Sequence, residues 1–203
     1  MLTMTMTGVE FEGQAIAWDQ FPSLLMAHLA KCSDTPEAEA AGAAFVADPS
    51  ERNAVTLIYR TCYWGGSNGP RILPQIIKNN DPSDLAFHFS EALDALRAGH
   101  GLRELIVALE NVNKIHYLGQ PSFASKMLRM LDGDHCGVLD SLVSGAAKYP
   151  LDQMSFALYP VTLQDIAREL DGRGIANPRG FEKWRAADAD AAIFAKIRGW
   201  STP

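Results

Sequence analysis

Lys126 and Asp140 are the residues of this chain whose types and setting point to chemistry. Lys126 stands in Pro121-Ser122-Phe123-Ala124-Ser125-Lys126, early in an apolar segment just after a tight turn. Asp140 follows fourteen positions later (140 − 126), at the edge of a second apolar run, Val138-Leu139-Asp140-Ser141. Lysine and aspartate are costly to bury unless each has a partner or a task. An amine and a carboxylate so placed suit a nucleophile and the group that assists it. Taken singly, Lys126 reads as a snorkelling surface lysine and Asp140 as a helix cap.

The elements that must position this pair read as helices. Apolar residues recur at helical spacing over Phe21–Lys31. Thr35-Pro36-Glu37 opens a second helix, with a capping hydroxyl, proline in the first turn and an acid at the positive end of the dipole. Ser50–Arg60, Asp81–Arg97, Gly101–Val112, Thr162–Leu170 and Phe181–Ile197 follow, the fifth with Leu102, Leu105, Ile106 and Leu109 in an i, i+3, i+4, i+7 pattern. A helix from Ser122, its expected N-cap, to Leu131 carries Lys126. Its first amides are a ready site for a phosphate oxygen. Val138–Ala147 carries Asp140 near its start. Strand signals are weak, since no alternating β-branched runs with hairpin turns occur. The expected fold is all-α, with residues 1–50 an acidic helical accessory segment and residues 51–203 the main domain.

Composition narrows the function classes. No apolar run approaches the roughly 20 residues needed to span a bilayer. The N-terminal stretch lacks the basic and apolar regions of a secretory signal, so the chain is expected to be cytoplasmic. Cys32, Cys62 and Cys136 are widely spaced, and the five histidines show no H-x-x-x-H spacing. No metal and no other cofactor is expected. The net charge of −6 is uneven: residues 1–51 hold eight acids and one lysine, whereas residues 52–203 hold sixteen acids and seventeen bases. The body therefore permits local phosphate contacts. Arg179, Lys183 and Arg185 form a basic cluster that reads equally as a solvated face or a phosphate contact. His116 and His135 read as loop histidines, Cys136 as a structural thiol.

The run Pro121–Lys126, followed by an apolar-Asp step at Leu139-Asp140, resembles the helix–hairpin–helix superfamily of DNA glycosylases. It is most similar to the 8-oxoguanine DNA glycosylase branch and its compact bacterial members. The family hairpin reads Leu-Pro-Gly-Val-Gly-x-Lys. Pro121, Ser122, Phe123, Ala124, Ser125 and Lys126 occupy its last six positions, and Asp140 the position of the family aspartate. The motif covers about 35 residues. Both hairpin glycines are replaced, by Ser122 and Ala124, which changes how closely the turn can approach phosphate. The interval from lysine to aspartate is shorter than in the larger enzymes, and the chain has no room for their additional β-domain.

The resemblance implies a partner, DNA with a damaged or modified base, and an activity, base excision coupled to strand nicking through a lysine Schiff base. Lys126 and Asp140 would be catalytic, and residues 121–125 would contact DNA. A flipped base stacks on aromatic side chains, for which Trp64 and Trp184 are the candidates. Oxidised guanine or a modified phage base are the candidate substrates. Two other readings stay open: a non-catalytic DNA- or damage-binding module, favoured by the lost glycines and the acidic N-terminal stretch, and a helical interaction protein in a bacterial defence system.

Overall fold

The computed structural model describes residues 1–64, 69–119 and 121–201. Helices account for 67% of the described residues, which bears out the all-α expectation in its coarse form. The strand expectation needs correction. A small antiparallel meander, β1 (Thr3–Met4), β2 (Gly8–Phe11) and β3 (Gln14–Ala17), opens the chain. Its register pairs Met4 with Val9 and Val9 with Ile16. Glu12 and Gly13 turn β2 into β3 with φ of 42° and 74°, the positive pair that a tight two-residue hairpin requires. A Cβ on Gly8 would lie 2.0 Å from the Ile16 carbonyl oxygen, so only glycine fits there. Strands of two and four residues are too short to display alternation, which hid them from the periodicity reading.

The helices are α1 (Phe21–Lys31), α2 (Thr35–Ala47), α3 (Glu51–Trp64), α4 (Gly69–Asn79), α5 (Pro82–Ala98), α6 (Leu102–Asn113), α7 (Pro121–Leu131), α8 (Ser141–Ala147), α9 (Gln153–Gly172) and α10 (Ala186–Ile197). Pro22, Pro36 and Pro82 sit in first turns, where the missing N–H costs nothing. α4 and the first half of α9 were not expected. Each contains an internal proline, Pro74 and Pro160, which normally argues against a helix interior. Burial overrides that bias: Leu73, Ile76, Phe156, Ala157 and Tyr159 are all buried. α10 starts later than expected, because residues 181–185 form the loop that ends in its N-cap, Arg185.

α1 packs on α10, α2 on α3 and α7, α5 on α3 and α6, and α9 on α6 and α10. One continuous core runs from Leu2 to Ile193 and does not divide at residue 50. α7 lies at the centre, touching α2, α3, α6 and α9. Every residue from Ala124 to Leu131 is buried. A helix enclosed on all sides is ordinarily apolar throughout, yet α7 carries Lys126 and Arg129. Gly42 of α2 makes the close crossing possible, since a Cβ there would stand 1.9 Å from the Met130 carbonyl oxygen. No helix among the described residues is long and apolar enough to cross a membrane.

Candidate active site

α6, a short turn and α7 form a helical hairpin. Within the turn, buried Ile115 and Leu118 anchor the chain to the core, while Tyr117 between them is exposed and adopts φ of 69°. Asn80 clamps the turn from outside: its Oδ1 accepts from the His116 amide at 2.9 Å, and its Nδ2 donates to the His116 carbonyl at 3.1 Å. α7 then starts at Pro121, one residue before the expected cap, so Ser122 lies inside the helix. Residue 120 and the Pro121 side chain lie outside the described residues.

α7 delivers Lys126 to a cavity of ≈ 510 Å³, inside the about 300–1,000 Å³ range of small-molecule sites. Asp140 lines the same cavity. Lys126 is 8% exposed, with Nζ 5.0 Å from the Phe123 ring centroid. Burial pushes its pKa below the ordinary lysine value, while Asp140 and the Cys62 thiol behind it pull the other way. Asp140 caps α8: its Oδ1 accepts from the amides of Leu142 (2.9 Å) and Val143 (3.0 Å). The expected helix from Val138 shortens to Ser141 for a physical reason. The Val138 amide donates to Asp190 Oδ2 at 3.0 Å, and the chain stays extended up to the cap.

The other expected site residues divide. Ser122, Phe123 and Trp64 line the cavity. Trp64 is fixed by its indole N–H, which donates to Thr35 Oγ1 at 2.9 Å. Ala124 and Ser125 are buried in the core, so any contact they make with DNA would run through main-chain atoms rather than side chains. Trp184 needs correction as a base-pocket residue. It is 4% exposed, packs edge-on against Phe21, and donates its indole N–H to the Ile175 carbonyl. It borders a different cavity.

Trp200 takes the place expected of Trp184. Gly199, at φ of 62°, reverses the chain after α10, and the Trp200 amide reaches back to the Ala195 carbonyl. That swing lays Trp200 beside Phe194 and His28, with ring centroids 5.5 and 6.0 Å away. Trp64, Phe123, Phe194 and Trp200 thus give the cavity flat apolar walls.

Three buried polar residues of the cavity were missed from sequence. His28 of α1 is buried, and its Nδ1 has no hydrogen-bond partner among the described residues. Burial, helped by Arg129 and Arg179, lowers its pKa to about 4, so the ring is neutral at neutral pH. Asp190 of α10 accepts from the Tyr159 hydroxyl at 2.6 Å, and burial pushes its carboxyl up to about 6. Arg129 is buried with its guanidinium 4.7 Å from the Trp64 ring centroid. The signals were present: acids in the Ala-rich run 186–195, and a second cation three residues after Lys126.

Behind Arg129 lies a charge network that settles the basic cluster. Arg179 grips Glu39 with two bonds, at 2.7 and 3.1 Å, and donates to Asp188 at 2.8 Å. Arg185 pairs with Asp188 through two bonds at 2.8 Å, and Arg129 reaches Glu39 at 3.3 Å. Arg179 and Arg185 are therefore consumed internally rather than held out toward phosphate. Both carboxyls are held below their ordinary range by these guanidiniums, against the effect of burial. His116 is an exposed loop residue, and Cys136 is a buried thiol whose pKa burial pushes up.

The arrangement offers a partly dehydrated amine, a carboxylate in the same cavity, and aromatic side chains along its walls. Comparisons of the chain with protein-family models, with curated proteins and with solved structures return no match.

Proposed function

We propose that the chain is a lysine-dependent DNA glycosylase with lyase activity, built on a helix–hairpin–helix scaffold and acting on DNA with an oxidised or modified base. The observation that carries this reading is the shared cavity of Lys126 and Asp140, with the lysine on the second helix of a hairpin and its pKa lowered by burial. A lowered pKa increases the neutral fraction of the amine, the form that attacks. The target nucleotide leaves the stack and its base enters between the aromatic walls. Lys126 Nζ bonds to the sugar C1′ as the glycosidic bond breaks, and the departing base takes the bonding pair and a proton. Asp140 relays the proton from the amine and stabilises positive charge on the sugar. The sugar ring opens to a Schiff base, a proton leaves C2′, and the C3′–O bond to phosphate breaks. Water then releases the lysine.

Borohydride trapping tests the proposal. Incubation with duplex DNA containing 8-oxoguanine or an abasic site, then reduction, is expected to yield a covalent adduct that Lys126→Gln does not form. Asp140 supports a second reading, because both of its cap bonds fall on one carboxylate oxygen and a purely structural cap would look the same. DNA binding by the wild type without any adduct would favour the non-catalytic binding module.

A further inference from the structure

We propose that His100, Asp132 and His135 form a binding site for a divalent transition-metal ion of the zinc type, outside the lysine cavity. The three come from two segments: His100 from the loop between α5 and α6, Asp132 and His135 from the turn that follows α7. Sequence spacing gave no hint of the trio and led to the opposite expectation. Their ligating atoms lie within 4.8 Å of one another. His100 Nε2 is 3.2 Å from Asp132 Oδ2, and His135 Nδ1 is 2.9 Å from Asp132 Oδ1.

Those separations suit a metal. With bonds of about 2.0–2.2 Å, the ligands of a tetrahedral zinc ion stand about 3.3–3.5 Å apart. Each histidine nitrogen needs to part from Asp132 by only a few tenths of an ångström to admit the ion between them. Two imidazoles with one carboxylate select zinc, cobalt or nickel over magnesium and calcium, which prefer all-oxygen sites. Supports around the trio hold its backbone. Gln164 of α9 donates to the His135 carbonyl at 3.0 Å and reaches the His100 carbonyl at 3.5 Å. The Cys136 amide donates to the Asp132 carbonyl at 2.9 Å, closing the turn. His100 and His135 border a cavity of ≈ 680 Å³, which gives access for the ion and room for a water as fourth ligand.

The two imidazoles are stacked, with centroids 3.4 Å apart and planes 13° from parallel. Each ring plane must contain the metal, so binding has to splay the stack. Both side chains are about one-third exposed, which leaves them free to turn about their side-chain torsions. Unstacking of these rings on metal addition is therefore a signature specific to this site.

The experiment uses the full chain, freed of metal with a chelator that is then removed. Calorimetric titration with zinc is expected to show one tight site per chain. The imidazole NMR signals of His100 and His135 should shift together as the ion enters. Cobalt should give visible d–d bands without thiolate charge transfer. His100→Ala and His135→Ala are each expected to weaken zinc binding by at least about a hundredfold. Folding of these variants is checked by circular dichroism in chelator. The proposal is overturned if the wild type binds no zinc at micromolar concentration, if binding survives in both variants, or if thiolate bands place the ion at a cysteine. The wild-type NMR titration decides the matter even if a variant does not fold.

Discussion

Replacing Lys126 with methionine is expected to stabilise the fold while abolishing the proposed adduct. Lys126 is 8% exposed, so its charged form has lost much of its hydration. Such a loss costs several kcal/mol after relaxation. Asp140 and the Phe123 ring return part of this. The net lowering of the lysine pKa, with burial the leading cause, means the return falls short. Methionine keeps most of the packed stem, and Asp140 keeps its two cap bonds. The expected gain at neutral pH is about 1–2 kcal/mol, which for a chain of this size raises Tm by roughly 3–6 °C. The pH dependence supplies a sharper check. Unfolded lysine holds its proton to about pH 10.4, whereas the folded residue releases it earlier. Between those points the unfolded state binds more protons, so wild-type stability rises with pH relative to the variant. The gap should close near the ordinary lysine pKa. Urea unfolding followed by circular dichroism across neutral to alkaline pH measures it. A variant less stable than wild type at neutral pH, or a gap indifferent to pH, refutes the reasoning.

Asp190→Asn should hold or raise stability at neutral pH, because its amide can accept from Val138 and donate to a rotated Tyr159 hydroxyl. The folded carboxyl titrates at about 6, above its unfolded value, so wild-type stability falls as pH rises through that window; urea midpoints should show this slope vanish in the variant. Glu39→Gln leaves Arg129, Arg179 and Arg185 short of a carboxylate and is expected to cost about 3–5 kcal/mol, read by chemical denaturation. The depressed pKa values of Glu39 and Asp188 add stability that is present above the ordinary carboxylate range and lost as pH falls through their folded values; acid titration by near-ultraviolet circular dichroism should show that loss reduced in Glu39→Gln. Gly42→Ala must push α2 and α7 apart by more than an ångström, with a thermal-melt penalty of at least about 1–3 kcal/mol and weaker adduct formation through displaced Lys126.

Sequence reading reached most helices because their apolar spacing and first-turn prolines are local signals. α1 begins and ends where its periodicity says it should. Local signals fail where tertiary contacts decide. Pro74 and Pro160 sit inside helices because their neighbours are buried. Trp184 and Trp200 were indistinguishable by composition, and only the turn at Gly199 brings the second to the cavity. Of the site, Lys126, Asp140 and Trp64 were legible as unusual residues near turns. His28 left no signal, and Arg129 and Asp190 left only unusual placements in apolar runs, since each acquires its meaning from a helix far away in sequence. The acidity of the first fifty residues also gains a physical account: one of its acids, Glu39, satisfies basic residues about 140 positions later.

The packing of α1 against α10 brings His28 and Cys32 opposite Asp190 and Phe194. The cavity is thus closed by segments from early and late in the chain, a seam of high contact order whose pairing pays a large loop-closure entropy. Under the proposed function, the topology would leave the site incomplete until the polypeptide is whole through α10.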